Sequence, residues 1–409
     1  MQITKKWQLG AFAGLTAAAV VLGAAPAAQA DPASGNPVID GFGSDTTQDV
    51  LNGLGAVITN GGVPLIGSYN AGVGLINPGV GESAPVPSIP RANGSSQGKS
   101  ALVAAVDGTA LTLGTLTSSS ALGRDDVEFA RSSSKGNWTT INETGRFSYL
   151  PFAVDAVTYA KSTAAVPSNI PLGATVGQDT DADGVLDLTL KNIYSRNAAA
   201  TLENGTGTTF TVGVQGSGAS IIPFKPQAGS GTLTFWQTAI GGTYGAIVSD
   251  KFGTALTPVQ EHDGSVLAAV PNAIVPFSIA QHLAQSRIST LSTQYGVTVA
   301  DRRFGAVLGS INGIAPRDAN GNLNVNFPVN RAVFNVVETA AITPGNANYN
   351  STLDGLFDST SARVLTADRP GTSTALVIND FGFGAIPTAG ITPMDTFTYL
   401  PGDERYRSN

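Results

Sequence analysis

The chain has 409 residues, 22 basic against 29 acidic side chains, a net charge of −7 and no cysteine. Without cysteine there can be no disulfide, thiolate metal site, thiol nucleophile or lipid-bearing cysteine anchor. The acidic balance argues against a general nucleic-acid or anionic-membrane surface, yet leaves room for an anion site built from backbone amides.

Lys5 and Lys6, an apolar stretch over 9–22 and Ala28-Gln29-Ala30 before Asp31 have the layout of a signal peptide. The stretch is too short, and too rich in Ala and Gly, to read as a membrane span. The expectation is a secreted or periplasmic protein cleaved after Ala30, with 20 basic and 29 acidic residues left and a net charge of about −9. Some 380 mature residues suggest two domains or one large elaborated one.

Residues 37–42 read as a strand that enters Gly41-Phe42-Gly43-Ser44-Asp45-Thr46-Thr47, with a helix to follow that turns Val50, Leu54, Val57 and Ile58 inward. Residues 64–70 form a second strand candidate and 71–92 a Gly/Pro-rich loop. Asn93-Gly94-Ser95-Ser96-Gln97-Gly98 then leads into a helical stretch at 101–106. A short strand at 127–130 empties into Arg131-Ser132-Ser133-Ser134. Residues 149–159 and 273–280 are apolar extended runs, each with an internal Pro-Phe. They bracket about 120 residues that would form an inserted domain. Within that block, Gly229-Ser230-Gly231-Thr232 opens a helix whose Leu233, Trp236 and Ile240 share one face, with Trp236 expected in the core. Residues 329–337 read as a late strand and 350–365 as a helix. Strands alternating with helices indicate an α/β fold.

Three Gly/Ser/Thr turns that each open a helix are the main functional signal. Helix N-termini present unpaired N–H groups and the positive end of a dipole, which suits an anion. Taken singly, each turn is equally an ordinary N-cap. Asp179, Asp181 and Asp183 match the first half of a calcium loop, but Leu190 stands where its bidentate Glu is needed. The alternatives are a small structural calcium site and a plain Asx-rich turn. Residues 94–98 also fit G-x-S-x-G, the nucleophile elbow of hydrolases. That chemistry needs a histidine base, and only His262, in a turn, and His282, on a helix, exist.

The order of these pieces resembles the phosphate-binding proteins of ABC transporters, a branch of the type 2 periplasmic binding protein superfamily, over most of residues 36–340. The resemblance implies a two-lobed α/β fold, each lobe a mixed sheet flanked by helices, with a ligand cleft between them. Domain I would comprise 31–152 and 271–409, and domain II 153–270. It also implies a monomeric, non-enzymatic receptor for phosphate or a related oxyanion, served by an ABC permease and needing no cofactor. Its ligand loops fall on Ser44, Asp45, Thr46 and Thr47, on Ser95 and Ser96, on Arg131, Ser132 and Ser133, and on Gly229, Ser230, Gly231 and Thr232. The family's Arg and Asp before the fourth loop are replaced here by Pro226 and Ala228, and the Asp of the third loop by Ser132 or Ser133. In their place Arg131 is expected to supply the cation and Asp45 the discriminating carboxylate, unless Arg131 forms a plain surface or hinge salt bridge. The competing reading is a secreted structural or surface-interaction protein that keeps the binding-protein fold and has no transport role.

Overall fold

A computed structural model describes residues 31–32, 37–78, 87–141, 144–162 and 164–409. The signal-peptide reading of 1–30 lies outside them. No helix among the described residues is long and apolar enough to cross a membrane.

The fold is mixed α/β. Its principal elements are β1 (Ile39–Gly43), α1 (Gln48–Val57), β2 (Ile66–Ser68), α2 (Ser95–Asp107), β3 (Phe129–Ser132) and β4 (Phe147–Lys161). They continue with β5 (Ile222–Pro223), α3 (Gly231–Ala239), β6 (Ala273–Ser278), α4 (Ile279–Ser286) and β7 (Asn330–Glu338). The strands form one sheet in the order β5-β6-β4-β7-β3-β1-β2, with two short strands also paired to β4. β1 runs parallel to β2 and β3, whereas β7 is antiparallel to β3 and β4.

β4 joins the two halves of this sheet. Its residues up to Ala156 pair with β7, and Val157 to Lys161 pair with β6. All fifteen of its residues are buried, which is why the sequence shows a mostly apolar run, broken by Asp155, rather than alternation. The ladder shifts register between Pro151 and Ala153, where proline has no N–H to donate.

Alternation along the shorter strands feeds two cores. Ile39 and Phe129 pack with Val50, Leu51 and Leu54 of α1, while Phe42 and Ala130 pack with Ala101, Leu102 and Ala105 of α2. Burying each large side chain contributes about 1.5–3 kcal/mol, so both helices are held on the sheet largely by these contacts. Trp236 is buried edge-on to Tyr194, with ring centroids 5.6 Å apart. Trp138, for which the sequence offers no role, packs against Tyr149, Phe334 and Tyr406. The single helix expected over 350–365 is two short ones, Ser351–Phe357 and Arg363–Thr366.

Candidate functional site

Because β1 and β3 are parallel, the loops leaving their carboxyl ends emerge on one edge of the sheet. Ser44 Oγ donates to Ser133 Oγ at 2.9 Å, and the Ser133 N–H donates to Ser95 Oγ at 3.0 Å. The start of α3 arrives at the same point from the other half of the sheet. A Cβ at Gly231 would lie 2.5 Å from Ser95 Oγ and would collide with Ser133 Oγ, and a Cβ at Gly94 would collide with the Gly229 carbonyl. Glycine permits this approach because it has no side chain to displace.

The centre of the cluster is an ion pair that the sequence reading missed. Asp155 on β4 and Arg331 on β7 are direct cross-strand partners. Arg331 Nη2 and Nε donate to Asp155 Oδ2 at 2.8 and 3.1 Å, and both residues are buried. Arg331 Nη1 also donates to Ser133 O (3.0 Å), and Nη2, with one N–H on Asp155, shares the other between Thr232 Oγ1 (3.0 Å) and Thr46 Oγ1 (3.3 Å). The other oxygen of Asp155 accepts from Ser278 Oγ (2.8 Å) and from the Ala280 N–H (3.1 Å) in the first turn of α4. Each carboxylate oxygen is thereby matched, as a buried charge requires. A signal was available: Asp155 and Arg331 are the lone charges in otherwise apolar runs, and they have opposite sign.

A second buried pair lies beside the first. Glu261 Oε1 accepts from the Thr232 N–H at 3.0 Å and from Ser230 Oγ, so its carboxylate sits on the N-terminus of α3. Burial pushes this carboxyl up, but His262 and the Ser230 and Thr232 donors outweigh that and hold it below the ordinary carboxylate range. His262, in the left-handed region at φ 53°, is buried. The Ser278 N–H donates to its Nδ1 (3.1 Å), which assigns the proton to Nε2 and directs that N–H at Thr46 Oγ1, 2.8 Å away. The turn expected around His262 is therefore part of the site.

Ser44, Thr46, Ser95, Ser133, Ser230, Gly231 and Thr232 are gathered here. Ser230 is also a true N-cap, since its Oγ accepts from the Leu233 N–H at 2.9 Å. Other expected residues stand apart. Arg131 is the principal correction: it is buried, and its guanidinium donates to the carbonyls of Gly41, Gly43, Ser44 and Tyr69 and to Ser68 Oγ. With every N–H matched, it holds the first glycine loop in place instead of facing the cluster. Burial lowers its pKa to about 9, which leaves it charged at neutral pH. Asp45 pairs with Arg302 at 2.9 Å and faces a separate cavity of about 140 Å³. Ser132 closes a local turn onto the Ser134 carbonyl, and Ser96 is exposed. Thr47 Oγ1 is buried without a hydrogen-bond partner, and Gly229 shapes the loop through its backbone at φ 89°. No hydrogen bond among the described residues joins Ser96 to either histidine, and His282 is held between Arg317 and the Ala306 carbonyl.

Arg331 and Ser133 also border a cavity of about 300 Å³, whose other walls include Lys135, Trp138 and Phe235. The guanidinium lies 5.3 Å from the centre of the Phe235 ring. In the segment expected to be calcium-like, carboxylate oxygens of Asp179, Asp181 and Asp183 lie within 4.8 Å of one another and could hold a cation. Leu190 there is buried and opens a short helix, so it supplies no ligand.

No family model matches the chain, and no curated protein matches it. Among solved structures, a chain from Clostridium perfringens described as a phosphate ABC transporter substrate-binding protein with bound phosphate is similar at 13% identity and a TM-score of 0.43, covering 85% of this chain and 99% of that one. PstS from Borrelia burgdorferi gives 15% and 0.37 with 86% and 100% covered, and an ABC-type phosphate transport receptor from Vibrio cholerae gives 10% and 0.38 with 73% and 87% covered. At these identities and scores the likeness carries no inference about the site or its ligand.

Proposed function

We propose that this protein is an exported binding protein that captures a small oxyanion, phosphate foremost, at the junction of the two sheet halves, for uptake through an ABC permease. The observation that supports it is a surplus of donors around Arg331. Thr46 Oγ1 already accepts from His262 and from Arg331, so its own proton is left for a further acceptor. The only hydrogen bond of Thr232 Oγ1 among the described residues is the one it accepts from Arg331, which leaves its proton as a donor too. Arg331 Nη1 carries two N–H groups and meets one acceptor, Ser133 O. A tetrahedral oxyanion presents acceptors in several directions at once, and charge-assisted hydrogen bonds of this kind are the strong ones.

Calorimetric titration with phosphate, sulfate and a phosphate monoester tests the reading. Phosphate should bind, and Arg331→Ala should weaken it by about 100-fold, as expected for losing a buried cationic donor. Unchanged affinity in Arg331→Ala would sink the assignment. A second reading, a structural or surface-interaction protein with no transport role, is favoured by one observation: Glu261 already occupies the Thr232 amide at the start of α3. Failure of all three ligands to bind the native protein would establish that reading instead.

A further inference from the structure

Two carboxylates in this cluster sit on helix N-termini, and they are not equivalent. Asp155, on α4, has a guanidinium, a hydroxyl and an amide divided between its two oxygens. Glu261, on α3, has donors on Oε1 only; Oε2 is buried without a hydrogen-bond partner, and the nearest cationic candidate is His262 Nε2 at 3.6 Å. That nitrogen already directs its proton to Thr46 Oγ1, so it makes no hydrogen bond to Oε2. A buried carboxylate with one orphaned oxygen is costly to keep in place. Ser230 and Thr232, the donors that hold it, are also the groups a helix-end anion site offers to a ligand.

We propose that Glu261 is a resident anion on the N-terminus of α3, which an incoming oxyanion must displace or be repelled by. This rests on the oxyanion reading above and adds to it the residue that sets how tightly, and whether, the site binds. Two like charges cannot share one amide and one hydroxyl in a desolvated pocket, because their repulsion grows as water is excluded. The side chain therefore acts as an intramolecular competitor. It is also part of the cap of α3, since Ser230 Oγ donates to Glu261 Oε1 while accepting from the Leu233 N–H.

The test compares phosphate binding by native protein, Glu261→Gln and Glu261→Asp in calorimetry. Glu261→Gln should bind phosphate roughly tenfold or more tightly than native protein, the scale set by one removed like charge at close range. Glu261→Asp keeps the charge and should stay as weak as native. Equal or weaker binding by Glu261→Gln overturns the proposal and leaves Glu261 as a helix cap or as an acceptor for the ligand. Binding by Glu261→Gln with none by native protein supports it, and moves the native function to the non-transport reading. If neither binds, the oxyanion reading fails and the proposal with it. Should Glu261→Gln melt too low for titration, Glu261→Ala leaves the same seat vacant. Millimolar phosphate should then raise its melting temperature more than that of native protein, and an equal or smaller rise overturns the proposal.

Discussion

Two buried arginines on neighbouring strands, Arg131 and Arg331, do different work. Arg131 is bonded to four backbone carbonyls and one hydroxyl, all from the first loop and the strand edge beside it. Arg331 is bonded to a carboxylate, to one backbone carbonyl, that of Ser133, and to side-chain hydroxyls of two loops that lie on either side of the sheet junction. Backbone carbonyls cannot leave without remaking the loop, whereas hydroxyls can turn to another acceptor. The first arginine therefore sets the shape of the site, and the second is suited to exchange partners with a ligand.

The largest effect that separates them is on stability. Arg131→Ala should cost about 4–5 kcal/mol in denaturant unfolding, because four buried carbonyls lose their donors together. Arg131→Lys should not restore it, since an ammonium cannot span the fork geometry. A loss below about 1 kcal/mol would erase the distinction between the two arginines. Next comes Asp155→Ala, expected to cost about 3–4 kcal/mol by leaving the Arg331 charge unpaired. The double variant with Arg331→Met should recover part of that loss, and strict additivity would mean that the pair is not coupled.

A smaller, pH-dependent effect belongs to the Arg131 side. Burial raises the Asp49 carboxyl from 3.8 to about 6, against the opposing pull of Arg302. An acid whose folded pKa is raised binds its proton more tightly in the folded state. Stability from this group is thus fullest below about pH 4 and is lost as the pH rises to about 6, by at most about 3 kcal/mol. Asp49→Asn should flatten that part of the stability–pH curve and melt higher than native protein at pH 7. An unchanged curve would show that Arg131 and Arg302 compensate the charge fully.

Local pattern carried much of the fold. The expected strands at 37–42, 127–130, 149–159, 273–280 and 329–337 coincide with β1, β3, β4, β6 and β7 to within a few residues, because apolar runs bounded by Gly and Ser leave few alternatives. The helical spacing of Leu233, Trp236 and Ile240 likewise located α3. The residue types at the converging loops were also legible, since a glycine turn with hydroxyls before a helix is a local feature.

Which charge faces the cluster was not legible in the same way. Arg131 stands in the expected place in the chain, yet four backbone carbonyls and the Ser68 hydroxyl, folded around it from 62 to 90 residues away, take its donors. Asp155 and Arg331 are 176 residues apart and meet only through the β4–β7 register. Glu261 reaches the start of α3 because a left-handed turn at His262 folds it back across 29 residues. The sequence by itself determined the elements and the hydroxyl-rich loops, since these depend on short-range periodicity and turn chemistry. Only the tertiary structure decided which buried charges are satisfied by backbone and which remain to meet a ligand, because the partners of a buried charge are set by strand register and long-range packing.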